Sequence, residues 1–507
     1  MTRPMIRINQ LGYRTGAPKV ATWVTDRAAP AAFAVTQGDA VVLRGHSQPW
    51  GRDAGSALDV QLLDLGALED GAGYRVVAGD DRSHEFRVGA GLYAGLRSDA
   101  LRVLTRLRCE HTGDVAVPGW TGPDAERLYP GWRPTGTFDV SGGWYDAGDY
   151  GKYTVSGGIA LWQLLFALRW RWDDELAAEC RWQLEWMLRM RVPAGQPYAG
   201  MAFHRVHGTT WSPMPGRAGD DPTVRVLHRP STAATLHVAA VCAYAYRVFR
   251  EERLLHSALS AYAAAAAHPV LIAPDDQGRF GGGPYGDPDV RDDFFWASAE
   301  LWLARGGTLD EFEPTFPLDG FDFDRVAPPA WLDLALEGGR GVEHVLAAGE
   351  RLLAVQAGQA WGQPYAPGDG WQWGSNGRIL NNLVVLAAAH ELSGARRFRD
   401  GVATGMDYLL GRNALGQSYI VGYGPDATRH LRTRQFGHDL DPTLPPPPPG
   451  AVAGGANSVP TPGFPSDPRL AGLAPQLCYL DEPTSETTND LCIRWNAPLV
   501  FVAGFLA

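Results

Sequence analysis

Two periodicities divide the chain. From Met5 to about Arg87, apolar and polar residues alternate with the period of strands, in Ile6-Arg-Ile-Asn-Gln, Val20-Ala-Thr-Trp-Val, Phe33-Ala-Val-Thr, Val41-Val-Leu-Arg, Leu58-Asp-Val-Gln-Leu and Tyr74-Arg-Val-Val-Ala. Turn signals such as Gln37-Gly38-Asp39 and Gly79-Asp80-Asp81 separate them, the spacing of a small β-sandwich. After Gly89-Ala-Gly-Leu-Tyr the period becomes helical. Amphipathic or apolar runs follow around 98–107 and at 158–172, 174–190, 231–249, 254–267, 294–304, 342–355, 379–392, 398–410 and 491–507. Buried strands do not alternate with these helices, so the pattern predicts an all-β module over 1–88 and a large all-α domain over 89–507. Long loops rich in Gly, Pro and Trp join the helices, among them Gly281-Gly-Gly-Pro-Tyr-Gly and the proline run 445–449. A site is expected on such loops.

The chain has 507 residues, a formal net charge of −11 and no basic stripe, which argues against nucleic acid or an anionic membrane as partner. The 18 Trp suit sugar rings as well as core packing. Five Cys, at 109, 180, 242, 478 and 492, form no CxxC pair and read as reduced thiols. The first residues carry no apolar leader segment and no long apolar run follows, so the expected location is cytoplasmic. Gly89-Ala-Gly-Leu-Tyr-Ala94 has the form GxGxxA, but strands lie only before it and helices only after it, which is not a dinucleotide-binding unit. GxxxxGK[ST], HExxH and GxSxG are absent from the sequence.

The strongest local signal is Val140-Ser-Gly-Gly-Trp-Tyr-Asp-Ala-Gly-Asp-Tyr-Gly-Lys-Tyr153. Asp146 and Asp149 sit among four glycines and four aromatics, in a loop too glycine-rich for a helix interior. Such a loop can hold a water between carboxylates and set aromatic faces against a sugar; a calcium loop or a capping turn is the other reading.

With this loop the chain resembles glycoside hydrolase family 9, cellulases with an immunoglobulin-like module ahead of an (α/α)6 barrel. The likeness extends through Ile6–Tyr13, Ser231–Thr235, Trp373-Gly-Ser-Asn376 with Asn381-Asn382, Tyr408–Asn413, Gly416–Tyr419, Gly422–Gly424 and Asn489–Val500. It implies inverting hydrolysis of β-1,4-glucosidic bonds in soluble glucans or cello-oligosaccharides, with no cofactor required. Carried over, Asp149 is the general base, Asp146 helps hold the water and Asp490 occupies the acid's position. Trp211, Trp373 and Tyr423 are candidates for stacking on sugar rings, and His430, Arg432 and Arg434 for gripping them.

Three departures from the family pattern matter. The acid is Asp490 where the family has Glu, one C–C bond shorter, about 1.5 Å; an inward backbone shift, or Glu486 reaching in, would have to compensate. Asp is also intrinsically the stronger acid, so burial or a neighbouring carboxylate must keep it protonated. Second, Arg429-His-Leu-Arg-Thr-Arg434 stands where the family has a His-His-Arg cluster, which keeps an exo-acting β-glucosidase or glucosaminidase open as an alternative. A sugar-binding protein with impaired catalysis is the alternative raised by Asp490. Third, the two-Cys, two-His zinc site of such enzymes has only Cys109 and His111 here, with Tyr145 before Asp146, so no zinc is expected. The Asp-rich stretch 287–293 permits structural calcium. The oligomeric state is not legible.

Overall fold

The computed structural model describes residues 3–307, 309 and 318–507. The N-terminal module is a sandwich of two sheets. One runs in the order Ile6–Arg7, Val20–Val24, Asp59–Asp64, Gln48–Arg52; the other runs Tyr13–Arg14, Phe86–Gly89, Gly71–Ala78, Ala32–Gln37, Ala40–His46, with Asp81–Arg82 paired to Gly71–Ala78. The alternating residues Trp23, Phe33, Val35, Leu63, Tyr74, Val76, Phe86 and Val88 meet between the sheets as one core. Gln48–Arg52 escapes the pattern because it is fully exposed and contains Pro49, which an edge strand tolerates.

In the second domain, six helices close a ring: Thr154–Trp170, Thr232–Phe249, Arg291–Arg305, Ala327–Gly338, Ser375–Ser393 and Ile493–Leu506, each packed on the next and the last on the first. They are buried almost all round; in Thr154–Trp170 every residue through Leu168 is buried. That explains their near-continuous apolar character. Ala94–Arg106, Asp174–Arg189, Glu252–Ala267 and Val342–Ala357 lie outside the ring and bury a stripe only, and Arg396–Leu409, also outside it, is buried all round at its C-terminal end. This is the (α/α)6 arrangement. The helix Ala327–Gly338 has no counterpart in the sequence pattern because it opens on Pro328-Pro329. Two prolines read as loop, yet in a first turn their missing N–H groups cost nothing.

The strand motif at the N-terminus also docks the sandwich on the barrel. Asn9 Nδ2 donates to Asp407 Oδ1 at 2.8 Å, and Gln10 Nε2 donates to the Gly416 carbonyl at 3.0 Å. Thr22 Oγ1 donates to the Ala360 carbonyl at 3.0 Å. All three side chains are buried, so their polar groups need these partners.

Candidate active site

The segments that lead into the N-termini of the inner helices converge on one cleft with about 320 Å³ of room. Asp149 and Tyr153 precede Thr154–Trp170, Tyr285 precedes Arg291–Arg305, and Asp322 and Phe323 precede Ala327–Gly338. Trp373 precedes Ser375–Ser393, and Asp490 precedes Ile493–Leu506. A ring of helices thus sets side chains from distant parts of the sequence around one mouth.

Asp149 is partly exposed in this cleft. Its Oδ2 accepts from Gly151 N at 2.9 Å and from the Tyr153 hydroxyl at 3.3 Å. Oδ1 has no protein donor among the described residues. One oxygen is fixed and the other is left for a water, the geometry of a general base. Asp490 is different: it is 8% exposed, and its Oδ1 accepts from Gly148 N at 3.2 Å and from Leu491 N at 2.9 Å. Burial above all, with Glu486 and Asp149 adding negative charge, pushes its carboxyl well above the usual carboxylate range, against the pull of Arg432. Burial of this kind favours the protonated form of a carboxyl. Gly148 joins the two: a Cβ there would lie 2.3 Å from the Arg432 carbonyl and 2.8 Å from Asp490 Oδ1, so only glycine lets the base loop touch the acid.

Asp146 lies beneath the cleft and not in its wall. It is fully buried, with its carboxylate oxygens taken by the hydroxyls of Ser156 and Tyr285. Burial pushes it up to about 6. It supports Tyr285, which does line the cleft.

The base loop itself is held from behind. Lys152 Nζ donates to the carbonyls of Val140 and Gly142 at 2.6 and 2.8 Å and pairs with Asp114 at 2.6 Å. Arg225 Nε donates to Asp114 at 2.9 Å, and Arg225 Nη1 to the Tyr150 carbonyl at 2.6 Å. Despite its burial these two cations hold Asp114 well below the ordinary carboxylate range. Cys109 Sγ donates to the same Asp114 at 3.4 Å, and Tyr145 packs on Tyr150. An ion cluster therefore fills the ground where the resemblance put zinc ligands.

Aromatic and cationic side chains form the remaining walls. Trp211, Phe464 and Trp373 make a continuous row, with ring centroids 6.0 and 5.1 Å apart. Arg434 lies 5.8 Å over Trp211 and donates to the carbonyls of Ser212 and Gly148 at 2.9 and 3.0 Å. Arg432 pairs with Glu486 at 3.0 Å. Arg494 is half-buried, donates to Asp322 at 3.2 Å and lies over the rings of Tyr285, Phe323 and Trp495.

Besides Asp146, which does not reach the cleft to hold a water, two sequence-derived candidates are corrected. Tyr423 is outside the cleft: its hydroxyl donates to Asp99 at 2.8 Å, because the Gly422–Gly424 turn packs on the helix Ala94–Arg106. His430 is also outside, drawn off by Asp439 at 2.7 Å on the exposed side.

The sequence profile of glycosyl hydrolase family 9 matches residues 93–503, and that of the cellulase N-terminal Ig-like domain matches 1–83. The chain belongs to glycosyl hydrolase family 9. It is 41% identical to Endoglucanase C of Cellulomonas fimi, over 100% of this chain and 52% of that protein. The chain thus spans about half the length of that relative. It is 31% identical to a cellulose 1,4-beta-cellobiosidase of Acetivibrio thermocellus, over 100% of this chain and 67% of that one. Among solved structures, a metagenome-derived family 9 endoglucanase superposes with a TM-score of 0.86 at 25% identity, covering 99% of this chain and 98% of that one.

Within this family 9 chain the residues missed by sequence reasoning include Tyr153, Tyr285, Phe323, Phe464 and Arg494, all in the cleft wall. Two had a signal. Tyr153 closes the base motif, and Tyr285 ends the glycine-rich run 281–285, where a Cβ on Gly282 would meet the Tyr153 hydroxyl at 2.6 Å. Phe464 and Arg494 carry no local pattern that distinguishes them from packing residues.

Next to Tyr285, Asp287, Asp292 and Asp293 offer ligand atoms all within 4.8 Å of one another, and all three are buried. Both carboxylate oxygens of Asp293 and Oδ2 of Asp287 accept no hydrogen bond. The neighbouring His237, 3.3 Å from Asp293, is pushed down to about 4 by burial and brings no charge at neutral pH. Burial and mutual repulsion push Asp287 up to about 9, and burial pushes Asp292 up to about 6. Buried hard oxygen donors without a counter-charge suit a divalent cation such as calcium.

Proposed function

We propose that this chain is an inverting endo-β-1,4-glucanase acting on soluble β-glucans or cello-oligosaccharides. Asp149 activates a water through its free oxygen while Asp490, on the other side of the bond, protonates the departing glycosidic oxygen. Inversion needs the two carboxyls about 6.5–9.5 Å apart to leave room for that water. The observation that carries the reading is the contrast between them: one carboxylate partly exposed with an oxygen free, the other buried with its carboxyl pushed well above the usual range, in one cleft. Glu486 is engaged by Arg432 at 3.0 Å, whereas the Asp490 carboxyl is buried and pushed well above the usual carboxylate range. Trp211 and Trp373 stack on sugar rings, and Arg434 donates to hydroxyls beside them. Asp146 acts through Tyr285 and not by touching the water. Calcium on Asp287, Asp292 and Asp293 would brace the loop that carries Tyr285.

Cellopentaose digestion followed over time, with Asp149→Asn as control, tests the reading. Mixed shorter oligomers that vanish in the control are expected, the substitution removing about 10²–10⁴ in rate. Glucose alone would indicate exo cleavage, and binding without turnover would indicate a sugar-binding protein.

A further inference from the structure

Glu486 opens the short helix Glu486–Asn489, directly ahead of Asp490, and lines the same cleft. Its carboxylate meets Arg432 Nη2 at 3.0 Å. Arg432 cannot leave the neighbourhood of the acid, since its amide donates to the Asn489 carbonyl at 2.9 Å and it bridges Asp490 as a parallel β-pair. The groups that face Asp490 are Asp149 from the base loop, Arg432, Glu486, and Cys492 on its own segment. Of these Arg432 is the cation, and a guanidinium free to turn toward Asp490 would stabilise the carboxylate and take away the proton it must donate. We propose that Glu486 is a positioning residue for proton transfer: it engages Arg432, keeps that charge off Asp490, and so extends the pH range over which Asp490 is a competent acid. This rests on the assignment of Asp490 as the acid.

The signs follow. Glu486→Gln removes a nearby negative charge and frees the cation, and both favour ionised Asp490. Arg432→Gln does the opposite.

The test is the pH dependence of kcat on cellopentaose for wild type, Glu486→Gln, Arg432→Gln and the double variant, each checked for folding by circular dichroism. We expect the alkaline limb to move down by about one pH unit in Glu486→Gln, since a close opposite charge is worth about 1–3 units. It moves up in Arg432→Gln and returns near wild type in the double variant. Should Glu486→Gln not fold, the upward shift in Arg432→Gln carries the test. A uniform loss of kcat with both limbs in place overturns the proposal and leaves Glu486 a structural support. Wild type that does not cleave cellopentaose overturns the assigned reaction and the proposal with it. Inactive Glu486→Gln beside active Asp490→Asn would make Glu486 itself the donor and overturn both.

Discussion

Two carboxyls of one cleft acquire opposite properties from their surroundings. Asp149 keeps an open oxygen, whereas Asp490 is walled in by Gly148 N, Leu491 N and the base loop. The Asp490 carboxyl reaches Gly148 N of the base loop at 3.2 Å despite its shorter side chain. Replacing Asp490 by Asn should lower kcat on cellopentaose by about 10²–10⁴. It should cost far less on an aryl cellobioside whose leaving group needs no proton, and comparing the two substrates checks the role. Asp149, Asp490, Trp373, Arg432 and Arg434 were legible because they fall in distinctive motifs, and with Trp211 they line the cleft, whereas Asp146 of the same motif as Asp149 lies beneath it. Tyr423 and His430 were not, because a motif fixes neighbours in sequence but not which partner, Asp99 or Asp439, captures the side chain.

At the scale of elements, the base loop is held in place from behind. Lys152, fully buried, ties two carbonyls of the loop to Asp114. Lys152→Met leaves those carbonyls without a donor and half of the Asp114 charge unmatched. It should cost about 3 kcal/mol, read from urea melts, and lower kcat together with stability. The loop after Tyr285 offers a second check through its three aspartates. Chelation of divalent cations should lower Tm. In the chelated protein stability should then fall as pH rises from about 4, where the unfolded carboxyls ionise, the contribution of Asp292 being spent by about 6 and that of Asp287 by about 9. The sign follows from the folded state holding protons that the unfolded chain has already released. Element boundaries were largely readable from periodicity. Ala327–Gly338 and Gln48–Arg52 were not, because proline at a helix start or on an edge strand reads locally as loop.

Across the whole molecule, the change of period from two to that of a helix marks the passage from sandwich to barrel, and the structure follows it. The closure of six inner helices into a ring was not derivable from periodicity, since an all-round apolar helix shows that it is buried but not by which neighbours. That ring is what gathers residues as far apart in sequence as Asp149, Tyr285, Trp373 and Asp490 into one cleft. The sandwich contributes through buried polar contacts, Asn9 to Asp407 and Thr22 to the Ala360 carbonyl, which hold the outer face of the barrel and lie outside the cleft. The central claim is that this architecture performs single-displacement hydrolysis. Proton NMR of cellopentaose digestion, recorded before mutarotation, tests it most directly. The account predicts that the newly formed reducing ends appear first as the α-anomer and equilibrate later; first appearance as the β-anomer, which signals retention through a covalent intermediate, would contradict it.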